Sequence, residues 1–488
     1  MVGIGGICLA GVIAWGQPPL STTPKNSIPL VLVGGTVVDV TDWGHSAKDL
    51  ADAVVVIRDG RVQDVGSRQS VSIPKNAHLV DCTGKYLIPG LVDGLTGMNS
   101  QGQASAMLYM GVTTAVAVND SKRGMVDFAA SPAPHVYAVD SIGTTDNFSL
   151  LVRHHTVHGV NWAVRLHEGS RPAELSPEET AQQLQAIAHM GTRVLLLGHN
   201  LTAANTQWII AHAHQAGLAT YGEFVSTPYK VGIEAGVDAL PHMGRYELGV
   251  IPDELQKPLV EDPEGSAAQT AHDYSEKLPP VDMHLRNYAR LIATHHAALM
   301  PTFSEYFLQL PGHRDLWKEP ASALLDPSHL NNPPNLITGE LYSPVSSWAR
   351  NLPAPTQKWM EESRRKKADQ TAMRLWKING AFFANYPHYL AASGSPVQGT
   401  MPGISLHTEL EMLVRLGLNP REALAAATNN YALQFGWNEL GLIAAGRRAD
   451  LLVVDGNPTA SIWNVRRISL LIMDGNIVDR EALLNTRR

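Results

Sequence analysis

The chain has 488 residues, a formal net charge of −7, 44% hydrophobic and 17% charged residues. That length exceeds one ordinary domain, although a β/α barrel with insertions can use most of it in a single unit. The acidic balance supplies no basic surface of the kind that nucleic acid or an anionic membrane requires, so neither is expected as a partner.

The chain begins with MVGIGGICLAGVIAWGQ, an apolar segment that reaches a small-x-small pattern at Ala14-Trp15-Gly16. Residues 1–16 therefore read as a signal peptide and predict an exported, periplasmic protein, although no Lys or Arg precedes the apolar run. The alternative is a frayed N-terminus on a cytoplasmic protein. Cleavage would leave Cys82 as the sole cysteine, and no intrachain disulfide could form. No later stretch is long and apolar enough to span a bilayer.

From Leu30 to Ile88 the apolar residues come in short runs broken by Gly and Asp, and Asp59-Gly60 between two of them is a hairpin signal. The same texture returns in ADLLVVDGNP and RRISLLIMDGNIVD, between residues 449 and 479. Residues 30–88 plus 440–479 are therefore expected to close into one composite β-sandwich, with the middle of the chain inserted between its halves.

The middle alternates short buried strands with amphipathic helices, the pattern of parallel β/α units. The predicted strands are Leu91-Val92, Thr113–Val118, Val160–Leu166, Arg193–Leu197, Ala219–Phe224, Ala239–His242, Ala298–Phe303 and Tyr389–Ser393. Eight strands suit a closed (β/α)8 TIM-like barrel over residues 89–437, an α/β fold whose chemistry sits at the C-terminal strand ends. Residues 306–356, rich in Pro, Asn and Ser, are too long for a plain connection and read as a lid or an interface. Their apolar side chains are Leu308, Leu310, Trp317, Leu324, Leu325, Leu330 and Trp348.

Several stretches together, namely YLIPGLVD, YMGVTTAVAV, AHAHQAGLATYGEF, IEAGVDALPHMG, ISLHTELEMLVRLGLNPREALAAATNNYALQFG and LGLIAAGRRADLLVVDGNP, carry a family resemblance. The chain resembles the metal-dependent amidohydrolase superfamily, in its imidazolonepropionase-like and prolidase-like branch. The resemblance implies one or two divalent metals that lower the pKa of a bound water for attack on a C–N bond. Motif by motif, the strand-one His-x-His pair falls on Leu95 and Gly97, the bridging lysine near Leu196 and the strand-five histidine on Glu223. The strand-six histidine falls on His242 and the strand-eight aspartate on Gly394, so five of these six positions have changed. A catalytic zinc normally takes three protein ligands and a water, which Glu223 and His242 cannot supply alone.

No metal cofactor is therefore expected, unless His199 joins Glu223 and His242 in a relocated site for an ion such as zinc. His212 and His214 lie two apart on a helix and point away from one another, while His154, His155 and His158 read as loop or core-edge residues. Ser393, Ser395, Ser304-Glu305, Tyr221, Tyr306 and His242 could face one mouth as a nucleophilic set, but no G-x-S-x-G elbow is present. Two readings follow. One is a pseudoenzyme that binds a small molecule through Glu223, His242, Tyr221 and Ser393 and works as a homo-oligomer or beside an active paralogue. The other is a divergent hydrolase with the relocated metal site.

Overall fold

The computed structural model describes residues 28–118, 132–142, 177–189, 191–198, 201–224, 227–252, 274, 277–278, 282–307, 310, 313–327, 330, 337–338, 341–342, 353–397 and 399–486. The expected signal peptide lies outside them. The chain opens with β1 (Leu30–Val37), β2 (Leu50–Arg58), β3 (Arg61–Ser67), β4 (His78–Asp81) and β5 (Tyr86–Pro89). Between β2 and β3, Asp59 and Gly60 both have positive φ, 52° and 75°, as a two-residue hairpin turn of the twist-matched kind requires.

The barrel strands follow: β6 (Leu91–Thr96), β7 (Val112–Ala117), β8 (His135–Ile142), β9 (Thr192–Leu197), β10 (Ala219–Gly222), β11 (Ala239–Pro241) and β12 (Ala298–Met300). They pair in parallel in that order, and a small hairpin of β13 (Ile337–Thr338) and β14 (Leu341–Tyr342) comes after them. Residues 389–395 complete the ring by single bridges, Leu299 to Tyr389 on one side and Thr96 to Ser395 on the other. One expectation needs correction. The third barrel strand is His135–Ile142, whereas Val160–Leu166 lies outside the described residues. Asp140 and Ser141 interrupt the apolar run of HVYAVDSI, and in the fold the buried Asp140 carboxylate accepts a hydrogen bond from Thr192 Oγ1 at 2.5 Å.

Every residue of β6 and β7 is buried, as expected for parallel strands covered on both faces. Inward-pointing Val92, Leu95, Val116, Val139, Val194, Tyr221, Ala239, Met300 and Leu390 fill the barrel. It is a packed core and not a pore.

The last strands, β15 (Leu451–Val454), β16 (Ile468–Met473) and β17 (Asn476–Val478), return to the first sheet, giving the order β17-β16-β15-β5-β1-β2-β3 with β4 also on β1. The inner face carries alternate residues, Leu30 and Leu32 from β1, Val55 and Ile57 from β2, Leu451 and Val453 from β15. The two chain ends therefore share one core.

Of the apolar side chains in 306–356, Leu308 and Trp348 lie outside the described residues, Leu310, Leu324, Leu325 and Leu330 are buried, and Trp317 packs against the main core. This part is tied down by ion pairs of Arg314 with Glu411 and of Arg466 with Glu319. Both guanidinium groups also lie over the Trp463 ring, at 4.7 and 4.8 Å. Residues 320–324 pack on the helix Gln101–Tyr109 that follows the first barrel strand. The described part of the insertion is thus a strap along the barrel flank, and its leucines offer no exposed partner surface.

Candidate functional site

The C-terminal strand ends converge at the barrel mouth, where the sequence resemblance implies an ion site. At the first strand, Leu95 is only 5% exposed and belongs to the apolar filling of the barrel. Gly97 donates its amide to the Ser395 carbonyl at 2.5 Å, closing β6 onto the eighth segment. Leu196, at the end of β9, packs on the same apolar cluster. None of these side chains has an electron pair to give.

The position of Gly394 has been taken over. A Cβ built there would stand 2.1 Å from Oε1 of Glu305, which enters from the short helix Ser304–Phe307 just beyond β12. The space of a strand-eight side chain thus holds a strand-seven carboxylate. That Oε1 lies 2.9 Å from Nδ1 of His242, at the end of β11. On the other side of the ring, Nε2 lies 3.2 Å from Oε1 of Glu223, which follows β10. Thr302 Oγ1 also approaches Nδ1, at 3.0 Å.

A doubly flanked imidazole prefers its charged form. Burial alone would lower the His242 pKa, but the charges of Glu305 and Glu223 outweigh it and push it up to about 10. The arrangement does not fit a bound ion, because the two carboxylates address opposite nitrogens of one ring instead of converging with it on a common point. Backbone strain accompanies it: His242 and Thr302 have φ of 60° and 50°, which L side chains rarely adopt.

Two further acids lie beneath the mouth, and both were missed as site residues in the sequence. Asp93 is fully buried, and its Oδ1 accepts the Ser393 amide at 2.8 Å while Oδ2 has no hydrogen-bond partner. Burial pushes its carboxyl up to about 7, against the pull of the Ser393 bonds. Glu409, on the helix Ile404–Leu416, accepts the Ser304 amide at 2.8 Å, and burial raises its pKa well above the usual carboxylate range. The signal for Asp93 was present in YLIPGLVD, an apolar run that ends in a carboxylate, whereas Glu409 in HTELE has no such signal.

The other expected residues are placed less favourably. Tyr221 and Ser393 are both 0% exposed. The Tyr221 hydroxyl donates to the Gly94 carbonyl at 3.1 Å inside the barrel. Ser393 Oγ donates to Ser395 Oγ at 2.9 Å, which stands 2.7 Å from Thr96 Oγ1, so these serines fasten the eighth segment to the first strand. Ser304 Oγ donates to the Ser393 carbonyl. Among the described residues no histidine bonds to these serines, and the nucleophilic set does not assemble. His199 lies outside the described residues, as do His154, His155 and His158. His212 stacks on Trp208 and His214 pairs with Asp238 at 2.8 Å, both on the helix Ala203–Gln215.

Among the described residues one other group brings three ligand-type atoms together, His135, Asp450 and Asp474, at the base of the barrel. His135 Nε2 lies 3.3 Å from both an Asp450 and an Asp474 oxygen. Arg448 Nε occupies the same Asp450 oxygen at 2.5 Å and its Nη2 donates to Thr114 Oγ1. Burial would raise the Asp450 pKa, yet Arg448 and His135 hold it down at about 2. With a guanidinium already on the shared oxygen, this group is an ion-pair joint between the sheet domain and the barrel.

Residues 391–478, which span the eighth segment, its helices and the return to the sheet, match the amidohydrolase family. A stretch of 55 residues is 51% identical to adenine deaminase 2 of Agrobacterium fabrum, covering 11% of this chain and 9% of that protein's length. Over nearly the whole chain the fold is similar to three solved structures, each 16% identical. A bottromycin amidohydrolase has TM-score 0.59, covering 93% of this chain and 87% of its own. A molinate hydrolase has TM-score 0.58, covering 94% and 97%. A Xaa-Pro dipeptidase with methionine bound in its active site has TM-score 0.57, covering 92% and 99%. At such identities the likeness establishes the fold, and function has to be argued at the site.

Proposed function

We propose that this amidohydrolase-family chain has lost metal-dependent C–N bond hydrolysis and persists as a pseudoenzyme whose barrel mouth binds a small molecule. The observation that carries this reading is the Glu305 carboxylate standing in the space above Gly394 and facing His242, with Glu223 on the other side of the ring. A divalent ion in this fold would neutralise its carboxylate ligands and activate a water. Here an imidazolium neutralises them and offers no open coordination position. Leu95 and Leu196 add apolar packing where ligand atoms would be needed. The three solved structures named above are by name a dipeptidase, a molinate hydrolase and a bottromycin amidohydrolase, so their substrates serve as probes and not as assignments.

The test combines composition and activity. Elemental analysis of the purified, untagged protein is expected to find well under one Zn, Mn, Fe or Ni per chain. Xaa-Pro dipeptides, with or without added Zn or Mn, are expected to remain uncleaved, and a chelator to leave the melting temperature unchanged. About one tightly held ion per chain, with a melting temperature that falls on chelation, would refute the reading, since a bound ion stabilises the folded state by mass action. That result would favour the divergent hydrolase, with Glu223, His242 and His199 as the ligands to replace.

A further inference from the structure

We infer that Glu305 is a positioning residue that has exchanged places with the strand-eight acid: its carboxylate and a side chain at position 394 are mutually exclusive occupants of one space, and from that space Glu305 holds His242 in its strained orientation. The inference rests on the proposed loss of the metal site and adds the device that replaced it.

Three independent observations meet at this point. The first is steric, because a Cβ at residue 394 would sit 2.1 Å from Glu305 Oε1, a distance that real Cβ contacts do not show, and 3.0 Å from its Cδ, so the carboxylate would have to move. The second is electrostatic, because the same oxygen is 2.9 Å from His242 Nδ1 while Glu223 holds Nε2. The third is conformational. His242, Thr302 and Gly394, at the ends of three successive strand positions around the barrel, all have φ between 50° and 60°. Only the glycine adopts it without cost, and a strained backbone persists where its surroundings over-determine it. The ring of His242, gripped at both nitrogens, supplies that constraint. Glu305 is itself only 4% exposed, so its carboxylate has no alternative in solvent without leaving the packed site.

A double-mutant cycle with a spectroscopic readout tests this. Gly394→Ala is destabilising on backbone grounds alone because of its positive φ, so the informative quantity is how that cost changes when the carboxylate is removed. Gly394→Ala is expected to lower the melting temperature by several degrees more in the wild-type background than in Glu305→Ala. Glu305→Gln keeps the shape and removes the charge, and nuclear magnetic resonance of the His242 ring should show its titration moving down by more than about one pH unit, a readout that packing alone would not move. The double variant Glu305→Ala/Gly394→Asp should move it back up.

Equal costs of Gly394→Ala in the two backgrounds would overturn the exclusion. An unmoved His242 titration in Glu305→Gln would overturn the positioning role, and that variant remains informative if the alanine variants do not fold. Both outcomes are distinct from failure of the function reading, which is decided by metal content of the unaltered protein.

Discussion

The two ends of the barrel each hold a histidine between two carboxylates, and they have solved the same electrostatic problem differently. At the base, His135 sits between Asp450 and Asp474, and Arg448 adds a second cation on the shared Asp450 oxygen. The backbone takes part, because the Asp474 amide donates to the other Asp450 oxygen at 2.9 Å. Of these four residues Asp474 has a positive φ, 47°. At the mouth, His242 sits between Glu223 and Glu305 with both His242 and Thr302 at positive φ. Beneath them Asp93 and Glu409 are buried, each with one oxygen lacking a hydrogen-bond partner. At the base two cations balance two carboxylates where the sheet meets the barrel, whereas at the mouth one imidazole faces two carboxylates above two more buried acids, a costlier arrangement that marks a place shaped for something other than stability.

The comparison can be broken most directly at the base. Arg448→Met leaves the buried Asp450 carboxylate with half of its countercharge, and the expected loss is about 3 kcal/mol or more, the scale for breaking a buried ion pair from one side. Urea unfolding at neutral pH measures it. A loss of only a few tenths would show that the joint does not carry the contact between sheet and barrel.

The mouth is sharpened by pH. The His242 pKa is raised from an unfolded value near 6.5 to about 10, so its stabilising contribution is fully present below pH 6.5 and is lost as the pH rises through about 10. The urea midpoint of the wild-type protein should therefore decline between pH 7 and 10, and Glu305→Gln should flatten that decline. At the acid end the sign is opposite for His407, whose Nε2 donates to the Met110 carbonyl at 2.7 Å inside the core. Burial and the nearby Arg466 lower its pKa to about 3, so it contributes stability above 6.5 that is lost as the pH falls towards 3. His407→Gln is expected to soften the acid limb and leave the alkaline limb in place.

The smallest effect is expected at Asp93. Its pKa is raised to about 7, so keeping it buried costs stability progressively as the pH rises from about 4 to 7. Asp93→Asn removes that cost while retaining an oxygen for the Ser393 amide, and its stability relative to wild type should improve on going from pH 5 to pH 8. The change should be on the order of 1 kcal/mol, and no improvement across that range would show that Asp93 is not the acid titrating there.

Much of the architecture was legible from periodicity. The Asp59-Gly60 turn, the first, second and fourth to seventh barrel strands, and the return of the C-terminal segment to the first sheet all follow from local pattern. The third strand was not legible, and its polar Asp140 meets Thr192, a residue 52 positions away. The loss of ligand atoms at Leu95, Gly97 and Gly394 could also be read directly, since a residue without an electron pair cannot ligate in any conformation. What replaced them could not. Nor is it legible in the sequence that Tyr221 and Ser393, expected at the mouth, are fully buried.

By itself, then, the sequence determined the alternation of strands and helices, the pairing of the two chain ends and the absence of donors at most ligand positions, because these depend on residue type and short-range spacing. Only the tertiary structure decided that Glu305 would stand over Gly394 and meet His242, whose partner Glu223 comes from another strand. Those residues are distant in sequence, and their meeting depends on strand-end geometry and on space left by a missing side chain. A vacancy of that kind becomes visible only when neighbouring strands are brought side by side.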